Sequence, residues 1–241
     1  MNCLILAAGL GSRLREVSDS KPLTPVRGVP LIEHVVRAAA AGGATRFHVA
    51  TGHEAERVEA FLAVLAQRTG FDIRTVRVAD WTAANGHSVV AGAEGMDGDY
   101  LLLMSDHLFD PAIVRALLEL PRPGGVRLAI DRALSRPGLD LDDATKVALA
   151  ADGRIARIGK ALARYDAVDT GIFHATPALA AAIREVIAKG GAGSLSEGVQ
   201  RLADGGQAET LDATGCFWLD VDDPSSLSLA EAVASSWAVQ G

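Results

Sequence analysis

The chain has 241 residues, 49% of them hydrophobic and 22% charged, which excludes a disordered or fibrous protein. A chain of this length buries roughly 70% of its unfolded surface, so no disulfide or metal staple is required. The formal net charge of −7 has the wrong sign for a general binder of nucleic acid or anionic membrane, and an anionic ligand must be met by a local cationic cluster. Cys3 and Cys216 sit among apolar neighbours without metal spacing, as buried reduced thiols do. The opening MNCLILAAGL lacks a basic leader, and no apolar run approaches the ~20 residues of a membrane span, so a cytoplasmic protein that is not membrane-embedded is expected.

Short apolar runs at 4–6, 47–51, 73–78, 101–104 and 126–130 read as strands. Between them Leu31, Ile32, Val35, Val36 and Ala39, then Val58, Phe61, Leu62 and Leu65, keep helical spacing. Asp110-Pro111, Thr176-Pro177 and Asp223-Pro224 pair a capping residue with a first-turn proline, and Ser194 with Glu197 forms a capping box. The alternation over the first 130 residues predicts an α/β fold with a mainly parallel sheet covered on both faces. Closely spaced strand candidates at 144–149, 155–158 and 168–173 predict a small antiparallel elaboration packed on that sheet, within about 131–215. No linker or repeat divides the chain, so 1–241 reads as one domain, with the polar stretch 131–143 as part of a substrate lid.

In open α/β sheets ligands bind beyond the carboxyl ends of the strands. The first strand candidate runs into Leu6-Ala7-Ala8-Gly9-Leu10-Gly11-Ser12-Arg13-Leu14, where small residues let backbone N–H groups approach phosphate. Over 13–27, Arg13, Arg15, Lys21 and Arg27 outnumber Glu16 and Asp19, which supplies the missing cationic cluster. Leu14 breaks the dinucleotide fingerprint and no GxxxxGK[ST] is present, which argues against hydride transfer and against a Walker site. The fourth strand ends at Ser105-Asp106-His107, and Trp218-Leu219-Asp220-Val221-Asp222 repeats a carboxylate beyond an apolar run; such acids suit Mg²⁺. Asp140, Asp142 and Asp143 lack the glycine of a calcium loop and read as solvated. Ala83-Ala84-Asn85-Gly86-His87-Ser88 offers a base donors, acceptors and close backbone approach, or is an Asn-Gly turn. His87 is open between packing on a base and capping the next helix, while His34, His48, His53 and His174 read as surface or packing residues.

The cradle segment, followed by Lys21-Pro22-Leu23-x-Pro25-Val26, resembles the signature of the sugar nucleotidyltransferase (MobA-like NTP transferase) superfamily. Asn-Gly-x-Ser, Asp143-Ala144-Thr145-Lys146, Gly153–Lys160, Asp169-Thr170-Gly171 and Trp-Leu-Asp-Val-Asp narrow the resemblance, over about 3–235, to CTP:inositol-1-phosphate cytidylyltransferases. That resemblance implies a Rossmann-like three-layer fold and the condensation of CTP with a phosphorylated small molecule. It assigns Mg²⁺ to Asp106 and Asp220 with Asp222 in reserve, and nucleotide contacts to Leu6, Ala7, Ala8, Gly9, Gly11, Ser12, Arg13, Lys21, Asn85, Gly86, Ser88 and Asp106. Catalytic charge falls to Arg13, Lys21 and Lys160, and the acceptor to Lys160, Asp169, Thr170 and Gly171; Lys146 also reads as a solvent-facing strand residue.

His87 stands where the family often has an aromatic residue before the serine. Relatives often carry a membrane-embedded phosphotransferase domain; this sequence reaches Gly241 without one, so its product is expected to pass elsewhere. Phosphocholine or aminoalkylphosphonate cytidylyltransferase is the nearest rival, since Trp81, Trp218 and Asp169 also suit an amine. Sugar-1-phosphate uridylyl- or guanylyltransferase and a catalytically silent nucleotide-binding regulator follow.

Overall fold

The computed structural model describes residues 1–14 and 18–237; Arg15 and Glu16 of the cationic window lie outside the described residues. In chain order the elements are β1 (Asn2–Ala7), β2 (Pro25–Val26), β3 (Val29–Pro30), α1 (Leu31–Gly42), β4 (Arg46–Thr51), α2 (Ala55–Thr69), β5 (Asp72–Arg77) and α3 (Gly86–Gly92). Then come β6 (Tyr100–Met104), β7 (His107–Phe109), α4 (Pro111–Glu119), β8 (Val126–Asp131), β9 (Lys146–Leu149), β10 (Ile155–Gly159) and β11 (Ala167–Ala175). The chain closes with α5 (Pro177–Ala188), α6 (Leu195–Ala203), β12 (Ala208–Asp212), β13 (Trp218–Asp220) and α7 (Pro224–Trp237).

Strands β6, β1, β4 and β5 are parallel neighbours in a mixed α/β sheet that runs, among the described residues, from β10 at one end to β5 at the other. The run 2–7 is buried on both sides, as a central parallel strand requires. Cys3, Ile5 and Ala7 face α1, α2 and α4, while Leu4 and Leu6 face α3, α5 and α6. Truncating a residue such as Ile5, 0% exposed, to alanine costs about 2–5 kcal/mol. The sequence signals for helix starts have physical counterparts: Asp110 accepts from Ala112 N, Thr176 from Ala178 N, and Ser194 with Glu197 closes a reciprocal box.

The antiparallel strands do not pack on the sheet, as expected from sequence, but continue it. β11 pairs antiparallel with β6 through 172–175 and with β9 at 167–168, while β8 takes its other edge. Within 169–171 β11 therefore changes neighbour along one edge, with Gly171 at φ +75°. This gap opens beside the carboxyl end of β6 and makes one wall of the cleft. The short pair β13–β7 forms the floor, and Leu14, Val26, Leu31, Leu219, Val221 and Ala230 pack together beneath it. That small core draws the two ends of the described chain to one place.

Candidate active site

A cleft of about 520 Å³ lies over the carboxyl ends of β1 and β6. Leu6, Ala7, Ala8, Gly9, Gly11, Arg13, Lys21, Asn85, Ser88, Asp106, Lys160, Asp169, Gly171, Asp220 and Asp222 line it. Gly11 sits at φ +60°, and a Cβ there would lie 2.4 Å from the Lys21 Cβ, so only glycine lets the turn close over Lys21. Lys21, 9% exposed, opens a short 3-10 turn that directs its ammonium inward.

β6 carries its apolar run straight into Asp106, and β7 pairs antiparallel with β13 so that His107 stands opposite Asp220. The Val221 N–H donates to the Asp106 carbonyl at 3.0 Å and fixes the register. Lys21 Nζ lies 2.5 Å from Asp106 and 3.7 Å from Asp220, and pairs with Asp222. His107 Nδ1 donates to Asp106 Oδ1 at 2.7 Å and stands 3.7 Å from Asp220. Asp106, His107 and Asp220 each bring a ligand atom within 4.8 Å of the others, and the buried Asp220 Oδ1 has no hydrogen-bond partner. An orphaned carboxylate oxygen beside a second carboxylate fits a hard divalent cation.

The two carboxylates are driven apart electrostatically. Burial pushes Asp106 upward, but the Lys21 charge and the His107 hydrogen bond outweigh it and hold the group well below the usual carboxylate range. Burial together with the charge on Asp106 raises Asp220. His107 is penalised by burial, yet Asp220 and Asp106 lift it to about 9. Lys21 is lowered by burial and raised further by Asp106 and Asp220, so it stays charged.

On the opposite wall Asp143 joins two cations: Arg13 Nη2 lies 2.5 Å from Asp143 Oδ2, and Lys160 Nζ lies 2.5 Å from Oδ1. Arg13 also pairs with Asp222. Lys146 Nζ donates to the Lys160 carbonyl at 2.7 Å, a structural contact beneath the Lys160 loop. Burial raises Asp169 to about 6, against a bond from the Gly171 N–H at 2.7 Å.

Several expected contacts lie elsewhere. Thr170 is fully buried and its hydroxyl donates to the Ala129 carbonyl, so it faces the sheet instead of an acceptor. Gly86 is pressed against the 193–194 backbone, where a Cβ would come within 2.1 Å of the Gly193 oxygen; it does not line the cleft. The side chain of Ser12 lies outside the described residues. Asn85, which lines the cleft, spends its Oδ1 on the Leu195 N–H at 2.9 Å. The His87 ring pairs with the Ala192 carbonyl. Arg27 is drawn away to Glu231, so the described cationic cluster comprises Arg13 and Lys21. The stretch 131–143 is tied down instead of forming a free lid: Arg136 donates to Asp131 and to the Trp218 carbonyl.

Sequence reasoning passed over His107, Asp143 and Arg136. His107 follows Asp106 directly, and a polar residue next to a candidate ligand was the available signal. Asp143 opens one of the motifs that narrow the resemblance, but beside Asp140 and Asp142 it reads as a solvated loop acid and is given no role.

Among known proteins, the bifunctional IPC transferase and DIPP synthase of Rubrobacter xylanophilus is 36% identical over 98% of this chain and 52% of its own length. The protein of the same name from Thermococcus kodakarensis is 30% identical over 99% and 51%. The chain thus spans about half the length of these curated relatives. The structure of the inositol-1-phosphate CTP transferase from T. maritima superposes with a TM-score of 0.84 at 22% identity, over 97% of this chain and 94% of that one. It shares the fold. Residues 3–201 match the MobA-like NTP transferase domain, and the chain belongs to that family.

Proposed function

We propose that the chain is a Mg²⁺-dependent cytidylyltransferase that condenses CTP with a phosphorylated polyol, inositol 1-phosphate first among them, to a CDP-linked product and pyrophosphate. One observation carries the reading: Lys21 from the N-terminal cradle and Asp106 and Asp220 from distant segments meet at one point, with Lys160 across the same cleft. The name of the T. maritima structural neighbour, an inositol-1-phosphate CTP transferase, favours CTP and inositol phosphate over a uridylyl or guanylyl donor.

A phosphomonoester has a second pKa near 6, so its attacking oxygen is ionised at neutral pH and needs no catalytic base. That oxygen attacks the α-phosphorus, and the bond to the β-phosphate breaks to release pyrophosphate. The obstacle is repulsion between two anions, and positioning with charge stabilisation must overcome it. Arg13 and Lys21 meet the β- and γ-phosphates, and the N–H groups of the Ala8–Gly11 turn cradle the chain. Lys160 aligns the acceptor phosphate, exchanging its contact with Asp143 for the new one. Asn85 and Ser88 face the base, and Asp169 with the backbone at Gly171 lines the acceptor wall. Asp106 and Asp220, with Asp222 beside them, would hold Mg²⁺, which when bound neutralises charge on the α-phosphate and leaving group.

The test is a pyrophosphate-release screen of four nucleoside triphosphates against inositol 1-phosphate, phosphocholine, aminoethylphosphonate and hexose 1-phosphates. CTP with inositol 1-phosphate should be fastest and Mg²⁺ omission should abolish it. Faster turnover with UTP overturns the base assignment. CTP binding without pyrophosphate from any acceptor leaves a silent nucleotide-binding regulator.

A further inference from the structure

Two residues before Asp220, the side chain of Trp218 is gripped by a buried polar unit. Its Nε1 donates to Asp131 Oδ2 at 2.8 Å, and the Arg136 guanidinium lies over the ring, 4.6 Å from its centroid. Arg136 Nη1 donates to the same Asp131 oxygen at 3.0 Å, while Nη2 donates to the Trp218 backbone carbonyl. The other Asp131 oxygen accepts from the Ala133 N–H at 2.8 Å. Asp131 is 1% exposed and Trp218 5%. His107 stacks on the same indole, with ring centroids 6.3 Å apart and planes 17° apart.

Burying a carboxylate and a guanidinium costs several kcal/mol per ion, and apolar residues of similar size often do as well for stability alone. The unit therefore calls for a geometric reason. β13 has three residues and pairs with a three-residue partner, so its own ladder fixes it weakly. The Asp131–Arg136 pair holds both the backbone and the side chain of its first residue, and Asp220 is its last.

We propose that Asp131 and Arg136 are positioning residues for Asp220: acting through Trp218, they set β13 where the Asp220 carboxylate meets Asp106. The inference rests on the metal-dependent reading of the cleft. Its test is titration of the protein with Mn²⁺ alone, followed by electron paramagnetic resonance, for wild type, Arg136→Met, Arg136→Lys and Trp218→Phe. Arg127→Met is the control, because Arg127, with a side chain 6% exposed against 16% for Arg136, is the more deeply buried of the two and pairs with Glu209 on the same sheet, away from the cleft.

Arg136→Met should weaken Mn²⁺ binding about tenfold and lower kcat by a similar factor, the usual scale for losing a residue that orients a metal ligand. KM for CTP should change less than about twofold, since the Arg136 guanidinium, although it borders the cleft, is committed to Asp131 and the Trp218 carbonyl. Arg136→Lys, which keeps charge on Asp131 but not the bond to the Trp218 carbonyl, should fall between. Should Arg136→Met not fold, Trp218→Phe decides: it keeps an aromatic ring but removes the indole N–H bond to Asp131 along with part of the ring, and should still weaken Mn²⁺ binding. Arg127→Met should lose stability and bind Mn²⁺ as wild type does. Unchanged Mn²⁺ affinity in the folded variants, equal weakening in Arg127→Met, or no saturable binding to wild type overturns the proposal. Failure of every triphosphate to yield pyrophosphate would defeat the functional reading, while the Mn²⁺ titrations would still decide this one.

Discussion

Lys21 and Asp106 form an ion pair at 2.5 Å inside the cleft, and the same ammonium contacts Asp222 and approaches Asp220. One buried cation from the N-terminal part of the chain thus balances three carboxylates, one from its middle and two from near its C-terminus. Removing it leaves the acids facing one another. Lys21→Met should cost about 3 kcal/mol of stability, the scale for breaking a buried ion pair. Added Mg²⁺ should recover part of that loss and raise the unfolding midpoint of the variant more than that of wild type, as ligand linkage requires. Thermal unfolding with and without Mg²⁺ measures both; equal shifts would show that the acids do not share one cation.

Asp106→Asn separates charge from shape. The amide keeps the packing of the β6 end but offers the cation and the His107 Nδ1–H a neutral partner in place of a carboxylate. Turnover should fall by about 10²–10³, the scale for losing one preorganised electrostatic group. Circular dichroism should remain that of wild type, and near-normal pyrophosphate release would remove Asp106 from the assignment.

Gly171 leaves room for the His107 ring. A Cβ at 171 would lie 2.6 Å from His107 Cδ2, on a backbone at φ +75°. Gly171→Ala should therefore lose stability twice: about 1 kcal/mol for the left-handed backbone and about 1–3 kcal/mol for overpacking. Gly153, at φ +82° in the turn between β9 and β10, has open space around it, so Gly153→Ala should show only the first loss. Denaturant unfolding of the two variants gives the difference, and pyrophosphate release should fall only for Gly171→Ala. Equal stability losses would mean that His107 moves aside freely.

What the sequence made legible follows from which interactions are local. The central strands, the alternate faces of 2–7 and the proline-marked helix starts rest on patterns within a few residues, and all are present. Asp106 and Asp220 were legible as candidates because each follows an apolar run at the ligand-binding edge of such a sheet, and Arg13 and Lys21 because they belong to a local cationic cluster after the first strand; all four line one cleft. Thr170 illustrates the opposite case. It sits between Asp169 and Gly171, but strand alternation turns its hydroxyl into the sheet while its neighbours face the cleft. Asp143, Arg136 and Trp218 acquire their partners from 82 or more residues away, or across a loop without periodicity. No local pattern encodes such pairings. The continuation of the sheet through β11, in place of a separate layer, likewise depends on one strand changing neighbours between 169 and 171.

Asp169 should make the fold measurably sensitive to pH. Burial holds its carboxyl at about 6, against 3.8 for the ordinary group, so between these values the native state keeps a proton that the unfolded chain has released. Stability falls with pH wherever the native state binds more protons. The contribution is therefore full below about pH 4, declines as pH rises through 6, and above that leaves a penalty of about 1–3 kcal/mol. Asp169→Asn keeps an oxygen to accept from the Gly171 N–H but carries no charge. The variant should be more stable than wild type near pH 7.5, with the difference shrinking toward zero near pH 4. Denaturant unfolding at several pH values checks this. Lower stability of the variant at pH 7.5 would mean that the ionised carboxylate is accommodated without cost. If acceptor hydroxyls bond to Asp169, as its place on the cleft wall suggests, the same substitution should raise the acceptor KM while leaving that for CTP unchanged, and the stability gained would measure what the site gives up to keep a carboxylate there.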